Sequence, residues 1–162
     1  MRRFTPLELA IGIALTGSLL AIAVPSFARE MHASRFVEPV DGLARLRAGA
    51  VAYAEGPGEA RFPDSAPLTP PSTPRGRKET DAPGAWDTPT WKALAFRPGP
   101  EGVPHAYAFS FESTSGGSAF VAQAHGDLDG DGVLSTFEIR GTAKPGEKPA
   151  VTPGMYVEAE LE

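Results

Sequence analysis

Residues 9–24 form an unbroken run of sixteen uncharged residues near the start of the chain, and a single acid, Glu8, stands directly before it. The run alone is slightly short for a membrane-spanning helix, but residues 4–27 are long enough apart from Glu8. Two arginines precede the run, and positive charge there favours an N-terminus that stays in the cytoplasm. Two interpretations follow: a cleaved secretory signal, or a helix retained in the mature protein.

The composition of the 162-residue chain argues against several classes of protein. The absence of cysteine removes disulfides, thiolate metal sites and cysteine nucleophiles. The net charge of −5 gives no basic footprint for nucleic acid, and 18 glycines and 17 prolines argue against a compact helical bundle. The three histidines lie in separate segments and no Gly-rich phosphate loop follows a strand pattern, so we expect no enzymatic activity.

Apolar side chains recur at steps of three to five after the run, which predicts one helix from residue 4 to about Ala54. This apolar stripe consists of Phe27, Met31, Phe36, Val40, Leu43, Leu46, Ala50 and Tyr53. Pro25 and Pro39 are expected to kink or loosen the helix, and Gly56 is expected to cap its C-terminus. The continuation favours a retained helix over a cleaved signal.

Four residues near the N-terminus keep a distinctive spacing: Phe4, Glu8, Gly17 and Pro25. Counted from Phe4 as the first residue, Glu8 is the fifth, Gly17 the fourteenth and Pro25 the twenty-second. In these offsets the segment resembles the N-terminus of type IV pilins. The resemblance implies an α+β, pilin-like fold, in which a long N-terminal helix with an apolar first half packs against a small antiparallel sheet.

The resemblance also implies that these four residues act in filament assembly. A carboxylate at the edge of bilayer hydrocarbon needs a positively charged partner. In pilins the N-terminal amine of a neighbouring subunit is that partner, and the pairing sets the axial register between subunits. Glu8 equally fits a capping box, with Thr5 as the N-cap and Pro6 at the first helical position, and the two roles are compatible. The chain departs from the family at Arg3, which stands where pilin precursors carry the glycine before the cleavage site.

The sequence also predicts the order of the segments. We expect a short basic leader at residues 1–3, the helix at 4–55 with its transmembrane or filament-core half at 4–27, a Pro/Gly-rich connector at 56–88 and a β-sheet head at 89–162. The connector is either draped on the head or a disordered linker. Strand patterns occur at 91–96, 107–111, 119–124, 136–140 and 156–161. The residues expected in the sheet core are Trp91, Phe96, Tyr107, Phe109 and Phe111.

Residues 127–138 match the twelve-residue calcium loop at each ligand position. The ligands predicted in this way are the side chains of Asp127, Asp129, Asp131, Ser135 and Glu138 and the backbone carbonyl of Val133. Gly132 permits the sharp turn, and hard oxygen ligands suit Ca²⁺ better than a transition metal. Strand patterns on both sides predict an EF-like loop inside a β-hairpin, with a structural role for the cation. A plain Asp-Gly turn is the alternative.

Together these features indicate a structural protein, a type IV pilin or minor pilin. The resemblance implies a bacterial inner-membrane location before assembly and an extracellular pilus afterwards. The partners it implies are copies of the chain, other pilins, the prepilin peptidase and the inner-membrane assembly machinery. Two alternatives stay open: a pseudopilin of a type II secretion system, and a monomeric membrane-tethered calcium-binding module. Motility, adhesion and DNA uptake all stay open as roles of such a filament.

Overall fold

The structure of the protein, a computed structural model, describes residues 5–58 and 60–159, with the backbone alone at residues 28–35 and 115. The chain forms two compact units that divide after Phe36. The first unit contains the first part of a long helix, α1 (Pro6–Ala54), and the second contains the rest of α1 and a small antiparallel sheet. The layout is therefore α+β, as the sequence predicts.

Helix α1 confirms the predicted long helix over the described residues. The helix continues through Pro25 and Pro39, where the sequence predicts a kink or a looser turn. After the last helical residue the N–H of Gly56 donates to the carbonyl of Tyr53 at 3.1 Å, which closes the final turn.

Over the described residues, the sheet of the second unit has six strands, all paired antiparallel. They are β1 (Ala66–Thr69), β2 (Tyr107–Thr114), β3 (Ala119–Gly126), β4 (Ser135–Thr142), β5 (Ala150–Val151) and β6 (Tyr156–Glu158). Strands β1 to β4 lie side by side in chain order, while β5 and β6 pair with opposite ends of β4. Strands β2, β3 and β4 confirm three predicted strands and extend each of them, and β6 covers the start of the fifth.

The predicted strand at residues 91–96 is wrong, because this segment begins within a short helix, α2 (Pro89–Ala93). The hydroxyl of Thr88 caps the helix by accepting a hydrogen bond from the N–H of Trp91 at 3.4 Å, and Pro89 occupies the first turn. Helix α2 buries Trp91, with Leu94 buried directly after it. The alternation of large and small residues here therefore reflects one buried face of a helical turn.

The core of the second unit lies between one face of the sheet and the C-terminal part of α1. Leu43, Leu46 and Ala50 are fully buried on the helix side. The five aromatic residues predicted for the core are all buried, and the ring centroids of Phe96 and Phe109 are 5.1 Å apart in an edge-to-face contact. These five aromatic residues are therefore part of the hydrophobic core, as predicted.

The connector at residues 56–88 packs on the head and contributes a strand to its sheet. Strand β1, absent from the predicted strands, pairs with β2. The buried side chains of the connector are Phe62, Pro63, Ala66, Thr69, Pro74 and Trp86. Of the two predicted alternatives, the draped segment agrees with this burial and a disordered linker does not.

Two polar side chains attach α1 to the head within the second unit. One carboxylate oxygen of Glu38 accepts the N–H groups of Ala106 and Tyr107 at 2.8 and 2.9 Å, at the start of β2. The guanidinium of Arg45 donates to the carbonyls of Arg97 and Pro98 at 2.9 and 2.6 Å. These contacts satisfy backbone groups that the sheet ladder leaves unpaired.

Candidate assembly helix and candidate metal centre

The N-terminus of α1 has the capping box that the sequence predicts. The N–H and the hydroxyl of Thr5 donate to one carboxylate oxygen of Glu8, at 2.8 and 2.9 Å. The N–H of Glu8 donates in return to the Thr5 hydroxyl at 3.3 Å, and Pro6 is the first helical residue. Glu8 is therefore positioned by its own helix, with its carboxylate at the start of the apolar segment.

The apolar segment Pro6–Phe27 of α1 is 22 residues long, and by length and composition it can span a membrane. Its side chains are exposed throughout, including Leu19 and Ile22. Of the predicted assembly residues, Glu8, Gly17 and Pro25 lie in this segment, whereas Phe4 and the leader at 1–3 lie outside the described residues. An exposed apolar surface of this extent is typical of a membrane or protein interaction site.

The acidic loop, residues 127–134, connects β3 to β4, so the predicted calcium-type loop does lie within a β-hairpin. Three aspartates shape it by accepting backbone N–H groups. Asp127 accepts from Gly130 at 2.8 Å, Asp129 from Asp131 at 3.1 Å, and Asp131 from Val133 at 2.7 Å. Gly132 has φ of 95°, which agrees with its predicted role in the turn.

The structure brings together the carboxylates of Asp127, Asp129 and Asp131, whose candidate ligand atoms lie within 4.8 Å of one another. Asp129 and Asp131 are exposed, while Asp127 is 1% exposed. Oxygen Oδ2 of Asp127 is buried and has no hydrogen-bond partner among the described residues. Clustered carboxylates repel one another, and a hard divalent cation with oxygen ligands would relieve both the repulsion and the unsatisfied oxygen.

Glu138, the predicted bidentate ligand, lies outside this group of carboxylates. It sits on the outer face of β4, where one oxygen accepts from the amide of Gln123 at 2.8 Å and the other contacts Arg140. Ser135 is fully buried and donates to the carbonyl of Gly126 at 3.2 Å. A β-strand advances about 3.3 Å per residue, and its successive side chains point to opposite faces of the sheet. Because a strand follows the loop here, Glu138 lies away from the aspartates, whereas the helix that follows an EF-hand loop would bring the same position back to the cation.

The connector touches the acidic loop, a contact that the sequence pattern did not predict. The N–H of Gly76 donates to the carbonyl of Asp127 at 2.8 Å, next to a β-bridge between Arg75 and Asp127. Nitrogen Nε of Arg75 lies 3.8 Å from the buried Oδ2 of Asp127. Gly76 has φ of 64° and packs against the backbone of Asp129. The cluster of basic residues at 75–78 therefore has a specific contact, although its side chains are exposed.

Two histidines of the head occupy separate polar settings. Nδ1 of His125 hydrogen bonds with the hydroxyl of Thr136 at 3.0 Å, and burial lowers the pKa of His125 while the carboxylate of Glu138 opposes that shift. His105 is buried between the carbonyl of Tyr107 and the carboxylate of Asp81, at 2.8 and 2.6 Å. Through these two contacts His105 links Asp81 of the connector to the start of β2.

Comparison of the chain with protein-family models, with curated proteins and with solved structures finds no match.

Proposed function

We propose that this chain is a structural subunit of a bacterial type IV pilus, assembled through its N-terminal helix. The observation that carries the proposal is the fully exposed apolar segment Pro6–Phe27, which continues within α1 into a part that packs on an antiparallel sheet. A bilayer covers such a segment before assembly, and the same segments of neighbouring subunits cover it in a filament. The spacing of Phe4, Glu8, Gly17 and Pro25 supports this pilin-like arrangement.

Glu8 sets the axial register between subunits in this proposal. A carboxylate at the start of a hydrocarbon-covered helix is costly unless a positive group meets it. Oxygen Oε2 of Glu8 carries the hydrogen bonds from Thr5, so the capping box holds the carboxylate in one position. A mature N-terminal amine on Phe4 of the neighbouring subunit supplies the charge.

The acidic loop is proposed to bind Ca²⁺ and to stabilise the connection between β3 and β4. The three clustered carboxylates and the unsatisfied Oδ2 of Asp127 support a cation here. Oxygen ligands match the preference of Ca²⁺, which tolerates irregular geometry. Because Glu138 is held on the sheet face, backbone carbonyls and water complete the coordination in this proposal.

Replacement of Glu8 tests the assembly role. In bacteria that express the chain at its native level, Glu8→Ala is expected to abolish its recovery in sheared extracellular filaments, while the protein stays in the membrane fraction. Glu55→Ala, which removes an exposed acid just after the end of α1, is the matched control and is expected to assemble normally. Normal filament incorporation of Glu8→Ala would overturn the register role. A wild-type chain absent from filaments would overturn the pilus role and leave the pseudopilin and the tethered calcium-binding module as candidates.

The acidic loop also favours a second candidate, a pseudopilin of a type II secretion system. Pseudopilins share the N-terminal pattern, and some bind calcium in the head. The two candidates differ in where the assembled chain is found. Recovery from extracellular filaments supports the pilus, whereas retention in the cell envelope together with a secretion defect on deletion supports the pseudopilin.

A further inference from the structure

The buried oxygen of the acidic loop faces a positive charge from another segment of the chain. Oδ1 of Asp127 accepts the N–H of Gly130, which leaves Oδ2 as the oxygen free to bind a cation. Nitrogen Nε of Arg75 lies 3.8 Å from this Oδ2, too far for a hydrogen bond but close for a charge contact. The aspartate side chain is fully buried, so this guanidinium acts on an oxygen that water does not screen well.

The backbone fixes Arg75 at this place although its side chain is 76% exposed. Gly76 donates its N–H to the carbonyl of Asp127, and the bridge between Arg75 and Asp127 continues that contact. A side chain at Gly76 would press on the carbonyl of Asp129, so the connector lies directly against the loop. The connector is thus held at the loop whether or not the arginine side chain pairs with it.

We infer that Arg75 is a built-in competitor of the divalent cation at the acidic loop and sets its affinity. The inference rests on the cation-binding part of the proposed function. A cation on Oδ2 of Asp127 and the guanidinium of Arg75 take the same oxygen and repel each other. Without the cation, Arg75 partly neutralises the three aspartates. With the cation, the arginine side chain moves into solvent and the backbone contact through Gly76 remains.

Calcium titration of the full-length chain in detergent micelles, followed by calorimetry at constant ionic strength, tests the inference. Arg75→Gln is expected to tighten calcium binding about fivefold, the order that one nearby surface charge exerts on a divalent ion. Arg77→Gln is the matched control: it removes the same charge two residues away, from a side chain that is 78% exposed and pairs with Glu79 at 3.0 Å. Its affinity is expected to stay within about twofold of wild type.

The possible results distinguish the competitor role of Arg75 from the proposed calcium binding on which it rests. Tighter binding in Arg75→Gln alone supports the competitor role. Equal affinities in wild type and Arg75→Gln, or equal changes in both variants, overturn that role and leave the calcium loop standing. A lack of saturable calcium binding in wild type and in Arg75→Gln overturns both the cation site and the inference. The filament role is tested separately, by the assembly of Glu8→Ala.

Discussion

Single residues decide how the second part of α1 is joined to the head. The carboxylate of Glu38 accepts two backbone N–H groups at the start of β2 and lies 3.7 Å from the ammonium of Lys78 on the connector. One side chain thus contacts the sheet and the connector from the helix. The sequence pattern gives no signal for this contact, because a glutamate between apolar helix positions is equally typical of a solvated face.

Replacement of Asp129 tests whether a cation at the acidic loop stabilises the fold. In the full-length protein, calcium at about 100 times its dissociation constant is expected to stabilise the fold by about 2.7 kcal/mol. That corresponds to a rise in melting temperature of about 5–10 °C for a chain of this size. Asp129→Asn keeps the oxygen that accepts the N–H of Asp131 but removes a charge, and is expected to lose most of the rise.

Glu112→Gln is the control for this measurement, since it neutralises an exposed acid on β2 outside the loop. It is expected to keep the full calcium-dependent rise. A melting temperature insensitive to millimolar calcium in the wild-type protein, or a full rise in Asp129→Asn, would contradict a cation at this loop.

At the scale of elements, two glycines allow α1 to approach the head closely. A methyl group at Gly42 would overlap the ring of Phe109, and one at Gly49 would overlap the carbonyl of Leu94, which follows α2. Glycine in a helix interior is otherwise unfavourable by about 1 kcal/mol relative to alanine. Helix propensity alone makes these two positions unfavourable, whereas the structure explains them by close packing.

Gly49→Ala separates these two explanations. Because a backbone carbonyl cannot move aside as a flexible side chain can, we expect the variant to lower the free energy of unfolding by about 2 kcal/mol despite better helix propensity. Ala48→Gly, at an exposed position of the same turn, is the control and is expected to cost about 1 kcal/mol through propensity alone. Urea unfolding in micelles measures both, and a more stable Gly49→Ala would show that the contact with Leu94 is not tight.

The elements differ in how far the sequence reveals them. Helix α1 and strands β2, β3 and β4 could be predicted because their apolar periods are long and regular. Strand β1 lies among prolines and forms by pairing with β2, so no local sequence pattern predicts it. Helix α2 has a local signal in Thr88 and Pro89, an N-cap followed by proline, but the apparent alternation after it suggests a strand.

The candidate metal centre was likewise only partly visible in the sequence. The spacing of the three aspartates correctly indicated that their carboxylates lie together. The position of Glu138 depends on whether a helix or a strand follows the loop, and β4 takes it to the outer face of the sheet. Arg75 comes from a segment about fifty residues earlier, so its contact with Asp127 arises from tertiary structure alone.

At the scale of the whole molecule, the two units differ in whether their apolar side chains are buried within the chain. The second unit buries most of its large aromatic side chains, together with aliphatic ones, in its own core. The apolar segment Pro6–Phe27 of the first unit is exposed along its length, and a surface of this kind must be covered by lipid or by other chains. A filament subunit that leaves a membrane meets both requirements in turn, which is the central claim of the proposed function.

Mass spectrometry of the N-terminus of the chain, taken from sheared extracellular filaments, tests that claim most directly. Filament subunits processed as pilins are expected to begin at Phe4 and to carry a methyl group on its amine, the charge that Glu8 of a neighbour would meet. Such a peptide is the predicted result, although Arg3 stands in place of the usual glycine. Filaments that contain the chain with an intact Met1, or that lack the chain altogether, would contradict it.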